Sequence, residues 1–241
     1  MAKPTGRSPD TRAGQPATST AGAGQPATST AGAGQPATST AVGVDTESRA
    51  SRFMKSALAI LGETGRTDFT VLEVVERSKT SLRSFYQHFS TKDELLLALI
   101  DKIMAESTQK WREETTGLES TAALRLLIDR ICAPAGSTTQ DSINRGLTFY
   151  NDHLAETLPG EYARVLLPLH QLIQDILDRG IAEGTFRGNL NVEATAALMM
   201  QTVLGAMRLR VLGAELNGVP IDANHIYDFC TNGLSSGGQL L

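Results

Sequence analysis

The sequence predicts an all-α protein of 241 residues with an N-terminal tail that does not fold. From about Glu47 onward, apolar residues recur at the spacing of amphipathic helices. No convincing run of alternating apolar and polar residues suggests a sheet. The first 46 residues differ in kind: Ala-Gly-Gln-Pro-Ala-Thr-Ser-Thr-Ala-Gly starts at Ala13 and again at Ala23, and a third copy from Ala33 breaks at Val42. Up to Gly43 the only aliphatic residues larger than Ala are Met1 and Val42, so this stretch cannot bury enough apolar surface to offset its conformational entropy. Residues 1–46 are therefore expected to be a disordered low-complexity tail.

The helices follow in order. Phe53, Ala57, Ile60 and Leu61 form one apolar stripe, and Gly65 supplies its stop because glycine accepts a left-handed backbone without steric cost. Thr70-Val71-Leu72-Glu73 has capping-box form, opening a short helix whose apolar side is Val71, Val74 and Val75. The period breaks at Ser78-Lys79-Thr80. Ser81 then caps a third helix, running to about Phe89, in which Phe85 and Phe89 point inward. Thr91-Lys92-Asp93-Glu94 reads as a second capping box, opening a long helix through Leu95, Leu99, Ile103 and Met104 towards Trp111. Further helices are expected near residues 120–132, 138–157, 160–183, 191–213 and 222–232. Pro134, Pro159, Gly188 and Pro220 lie in or near the gaps, and Pro168 is expected to kink the fourth long segment. The predicted organisation is thus a tail over 1–46, a three-helix domain over 47–95, a helical domain over 96–234 and a short tail over 235–241.

Composition narrows the function. A net charge of −4 excludes a uniformly basic nucleic-acid coat. Cys132 and Cys230 stand 98 positions apart, which gives neither a disulfide framework nor a cysteine-rich zinc site. His88, His153, His170 and His225 show no metal-ligand spacing, so no metal and no cofactor are expected. No secretory signal and no long apolar run is present, which reads as a soluble cytoplasmic protein without membrane contact. No Gly-x-Ser-x-Gly motif, phosphate loop or metal pair suggests an enzyme.

Charge does concentrate locally. Between Arg77 and Lys92 there are four basic residues (Arg77, Lys79, Arg83, Lys92) and no acid; against the overall −4 this leaves −8 for the rest of the chain. Two short helices joined by a tight turn, the second polar outside, make a helix-turn-helix, which lays its second helix in the major groove of DNA. Leu82, Arg83, Ser84, Tyr86, Gln87 and His88 are the candidates for that outer face. An Arg fork pairs with guanine, a Gln amide with adenine, and a Leu methyl with the thymine methyl.

The segment Ser81-Leu82-Arg83-Ser84-Phe85-Tyr86-Gln87-His88-Phe89-Ser90-Thr91-Lys92, with Gly65 and Thr70 upstream, resembles the DNA-binding domain of TetR-family transcriptional regulators. The close match runs from Phe53 to about Leu99; the remainder fits the family's regulatory domain in layout only. The resemblance implies a cytoplasmic homodimeric repressor, released from a palindromic operator in double-stranded DNA by a small lipophilic effector. The alternative is a small-molecule sensor that has lost DNA binding. By the same resemblance Thr70, Tyr86, His88 and Lys92 would hold phosphates, Leu82, Arg83, Ser84 and Gln87 would read base edges, and Ser81 at the head of the helix counts among the DNA-binding residues. Trp111, Phe149, Tyr150, His153, Tyr162, Leu166 and His170 would line the ligand cavity. Met199, Met200, Val203, Met207, Ile226 and Phe229 would form the dimer interface, with Gly205 permitting close approach of a neighbouring helix. Three positions depart from the family pattern. Lys79 replaces a turn glycine, at a cost of roughly 1 kcal/mol if its backbone is left-handed. Thr80 replaces a buried aliphatic residue, and Arg83 replaces a small one.

Overall fold

The computed structural model describes residues 48–214 and 218–235. The tail expected over 1–46 and most of the one over 235–241 lie outside them. The described residues form nine α-helices: α1 (Arg49–Thr64), α2 (Val71–Arg77), α3 (Leu82–Tyr86), α4 (Lys92–Thr115), α5 (Ser120–Ile131), α6 (Thr138–Thr157), α7 (Pro159–Ala182), α8 (Val192–Leu212) and α9 (Ala223–Leu234). Their only β pairing is one isolated bridge between Phe186 and Ser235.

The helix ends follow local chemistry. Gly65 ends α1 at φ 65°, and its N–H donates to the Leu61 carbonyl. Thr70 and Glu73 form the reciprocal capping box at α2, and the Ser81 hydroxyl accepts the Ser84 N–H at the head of α3. The box expected at Thr91 is only half made. The Thr91 hydroxyl accepts from the Glu94 N–H, but the Glu94 carboxylate takes the Ser90 N–H at 2.7 Å, one residue upstream of the cap. Pro159 starts α7, where a missing N–H costs nothing, and α7 continues through Pro168.

Two hydrophobic clusters hold the chain together. The first joins α1–α3 and the start of α4 to Ile143, Leu147 and Leu154 of α6 and Val165 of α7. At its centre Phe53 and Phe85 are fully buried, with ring centroids 5.3 Å apart at 73°. Phe89 lies 5.8 Å from Phe85, so three rings fix α3 against α1, each pair contributing about 0.5–1.5 kcal/mol beyond burial. The second cluster joins α5, α7, α8 and α9, and includes Cys132 and Cys230. The boundary expected at residues 95/96 falls inside α4, which passes without a break from one cluster towards the other.

Candidate nucleic-acid interface

The α2–α3 turn is closed by an unusual backbone and by a side chain from α1. Lys79 takes φ 53°, the left-handed conformation that glycine would adopt freely; among the described residues it is the one non-glycine with positive φ. Arg52 of α1 donates to the Ser78 carbonyl at 2.5 Å and reaches the Lys79 carbonyl at 3.4 Å. The Thr80 hydroxyl pairs with the Ser78 hydroxyl at 2.7 Å, so the polar residue in an apolar position keeps a partner. The turn therefore survives both departures from the family pattern.

On the outside of α3, Leu82 is 44% exposed and Tyr86 58% exposed, and Arg83, Gln87 and His88 are exposed beside them. The Tyr86 and Phe85 rings are perpendicular with centroids 5.5 Å apart, so Tyr86 leans on the core while staying exposed. His88 leans on Phe53 at 6.3 Å while staying exposed. The regular helix ends at Tyr86, shorter than the expected run to Phe89, and Gln87 and His88 continue it only as a turn.

Ser84 does not belong to this face. It is 6% exposed and its hydroxyl has no partner among the described residues, because residue 84 falls on the side of the short helix that packs inward with Phe85. Lys92 is also placed differently from the expectation. Its ammonium donates to the Thr67 carbonyl at 2.8 Å and the Phe69 carbonyl at 3.2 Å, between the rings of Phe69 and Tyr150. Two of its three donors are thus spent on the α1–α2 loop. Thr70 is exposed, yet its N–H and hydroxyl both bind the Glu73 carboxylate, at 2.6 and 2.8 Å. These bonds, the one from the Thr70 N–H foremost, hold the Glu73 carboxyl below its ordinary range. A phosphate approaching Thr70 must displace that carboxylate.

The positive charge is smaller than the sequence count. Arg77 forms a two-pronged ion pair with Glu63 of α1, the second prong closer than the 2.7 Å of the first. The bonds to Arg77 lower the Glu63 carboxyl and raise the guanidinium. Lys79 and Arg83 are exposed and form no such ion pair among the described residues. Lys79, counted from sequence only for its charge and its turn position, joins the exposed set, and so does Leu72 of α2, 51% exposed, which was not picked out from sequence. The signal for Leu72 was present, since Val71, Val74 and Val75 occupy the inward face and leave residue 72 opposite.

The expected ligand residues do not gather round one cavity. Trp111 and Leu166 are half-buried against the second cluster, whereas Tyr150 and Tyr162 pack on the first. Burial raises the Tyr162 phenol, and burial together with the bond to Asp93 raises that of Tyr150. Phe149 is 68% exposed, on a shallow groove of about 300 Å³ lined by residues 65–68, Arg145 and Gly146. His153 is exposed and bound to Asp93, and His170 donates through Nε2 to the Glu193 carbonyl at 3.0 Å. The expected dimer residues are corrected as well. Met199, Met200, Val203 and Ile226 are buried in the chain's own second cluster and Met207 packs against it, because this face of α8 lies against α5 and α7, and α9, which carries Ile226, lies against α5. Only Phe229, 71% exposed, faces out; Leu198 of α8, 70% exposed, was not anticipated. Gly205 is also on the exposed side, with open space where a Cβ would stand. Among the described residues no helix is long and apolar enough to cross a membrane.

Comparison with known proteins gives concordant results. Residues 53–99 match the family described as bacterial regulatory proteins, tetR family. The HTH-type transcriptional repressor KstR2 of Rhodococcus jostii (strain RHA1) is 23% identical over 172 residues, covering 68% of this chain and 82% of that protein. The uncharacterized HTH-type transcriptional regulator YdeS of Bacillus subtilis (strain 168) is 26% identical over 179 residues, covering 71% and 83%. Among solved structures, the fatty acid degradation regulator FadR from Bacillus halodurans aligns with a TM-score of 0.61 at 15% identity, covering 76% of this chain and 98% of that one. FadR from Bacillus subtilis in complex with stearoyl-CoA aligns at 0.57 and 17%, covering 78% and 98%.

Proposed function

Because this chain belongs to the tetR family of bacterial regulatory proteins and is a DNA-binding transcriptional regulator, we propose that it acts in the cytoplasm as a homodimeric repressor of a two-fold operator, released by a small lipophilic effector. The observation that carries this reading is the outward set on α3 (Leu82, Arg83, Tyr86, Gln87, His88), held rigid from behind by three phenylalanine rings. Arg83 and Gln87 read base edges, Leu82 contacts thymine methyls, and Thr70, Ser81 and Tyr86 take phosphates. Lys92 contributes through the α1–α2 loop, and Ser84 through packing.

The dimer reading is supported by α8 and α9, which keep large apolar side chains on their open side although their inner faces are already satisfied. Leu198 and Phe229 would pack across a two-fold axis, with Gly205 admitting close approach. Effector binding is supported by oxygens left without a partner inside the helical layers: the buried Thr108 hydroxyl of α4 and Asn151 Oδ1 of α6. A mostly apolar ligand carrying one polar atom would satisfy one of them; Thr108 stands about 22 Å along α4 from Asp93, where Tyr150, next to Asn151, is held, so one small ligand does not reach both. The sensor without DNA binding loses its motive, since the turn that put it in question is closed.

Selection of duplexes from random DNA, followed by footprinting, tests the reading; recovery of no enriched sequence would refute it. Arg83→Ala is expected to relax preference at one base pair by roughly 1–3 kcal/mol. Weakening that is uniform over all operator variants would make Arg83 a phosphate contact instead. Phe229→Asp is expected to give monomers in analytical ultracentrifugation, since two buried phenylalanines contribute about 3–6 kcal/mol per dimer. An unchanged dimer would place the interface elsewhere.

A further inference from the structure

The first turn of α4 is gripped from two sides. Lys92 is tied to the α1–α2 loop, as described above. The next residue, Asp93, faces α6: its Oδ1 accepts the Tyr150 hydroxyl at 2.5 Å, and its Oδ2 lies 3.1 Å from His153 Nε2. Tyr150 and His153 sit three residues apart on one face of α6, with ring centroids 4.9 Å apart. The Tyr150 ring also lies 5.6 Å from the Lys92 ammonium, so one aromatic side chain touches both members of the Lys92-Asp93 pair.

A second attachment lies nearby on the same helix. Gly146 packs so closely on α1 that an added Cβ would stand 2.8 Å from a Leu61 methyl and 3.2 Å from the Gly65 carbonyl oxygen. At 1.5 Å of rise per residue, this contact and the Asp93 clamp are about 6–10 Å apart along α6. The glycine contact is van der Waals packing without direction, and with Ile143, Leu147 and Leu154 of the same helix beside it leaves α6 only a small rotation. The hydrogen bonds at Asp93 are directional and remove that freedom.

We propose that Tyr150 and His153 are positioning residues for DNA binding, which clamp Asp93 and so fix the angle at which α6 carries the helix-turn-helix. In a dimer this angle sets the distance between the two recognition helices, and hence the half-site spacing that is accepted. The proposal rests on the homodimer reading above. Neither side chain touches DNA; both act through Asp93 on the segment that follows Tyr86 and His88.

The test uses the full-length protein and the duplex it selects, together with versions whose half-sites are one base pair closer or farther apart. Tyr150→Phe keeps the ring and removes only the hydroxyl. It is expected to bind the selected spacing about 3- to 10-fold more weakly while binding the altered spacings as well as before, so that selectivity for spacing falls. The salt dependence of binding is expected to stay unchanged, because no phosphate contact is lost. His153→Ala is expected to act in the same direction, and His153→Gln, which retains a donor, to restore most of the selectivity. An equal loss at all spacings, or wild-type selectivity in Tyr150→Phe, overturns the clamp. A wild-type protein indifferent to spacing overturns the dimer reading, and this proposal with it.

Discussion

Replacing Lys92 with Ala separates two roles for a residue that sequence alone assigns to phosphate. The ammonium makes charge-assisted bonds to the Thr67 and Phe69 carbonyls at 2.8 and 3.2 Å. Each such bond contributes about 1.5–3 kcal/mol when formed well; here the second is long, and the freed loop carbonyls regain water. The contacts with the Phe69 and Tyr150 rings, at 5.5 and 5.6 Å, add about 0.5–1 kcal/mol. A total near 2–3 kcal/mol corresponds to a fall in melting temperature of roughly 5–10 °C for a protein of this size. Thermal unfolding measures that fall. A salt titration of binding to the selected duplex measures the other role, because each phosphate contact contributes about 0.9 to the slope of log affinity against log salt. The expected result is a lower melting temperature with an unchanged slope, and Lys92→Met, which keeps the stem, is expected to behave alike. A slope reduced by about 0.9 at unchanged stability would show that the ammonium leaves the loop for DNA, and would refute the placement.

Two further perturbations address the packing and the titration of the same region. Gly146→Ala drives a methyl into Leu61, which is fully buried and has no room to move; overpacking of about 1–3 kcal/mol outweighs the gain of about 1 kcal/mol in helix propensity. Urea denaturation is expected to show a net loss, whereas Gly62→Ala, which crowds the methyl of the exposed Thr139 side chain and otherwise meets Ile143 at ordinary contact distance, is expected to be neutral or stabilising. At high pH, Tyr150 and Tyr162 set the direction: burial raises both phenols above the ordinary value of 10, and the bond to Asp93 raises Tyr150 further. A raised folded value favours the neutral phenol, so this stability is fully present below about pH 10 and is lost as pH rises through the folded values. Melting temperatures from pH 8 to 11 should therefore decline less steeply in Tyr150→Phe than in the wild type, and parallel curves would show that Tyr150 ionises freely.

The local grammar of the chain was legible from sequence because its causes are local. Gly65 ends a helix, Thr70 and Glu73 cap one, and Phe85 and Phe89 face inward, all within a few residues of the signal that predicts them. The errors concern partners distant in sequence. Arg77 looked like free charge because Glu63 stands 14 positions away, and Lys92 looked available because its carbonyls lie 23 and 25 positions upstream. Periodicity correctly marked Met199, Met200 and Val203 as apolar, but no period distinguishes a face turned to the chain's own core from one turned to a second copy. Ser84 was misplaced because a helix of five residues offers little more than one turn, too few positions to define its inner side.

The unbroken course of α4 has a mechanical consequence. Its 24 residues span about 36 Å, from the first turn beside the recognition helix to the neighbourhood of Trp111. A lever of that length converts a tilt of about 5° at its far end into a displacement of about 3 Å at the near one, close to the 3.4 Å step of a DNA strand. With no joint inside the lever, a tilt imposed at its distal end would arrive at the first turn as a load on the Lys92 and Asp93 contacts.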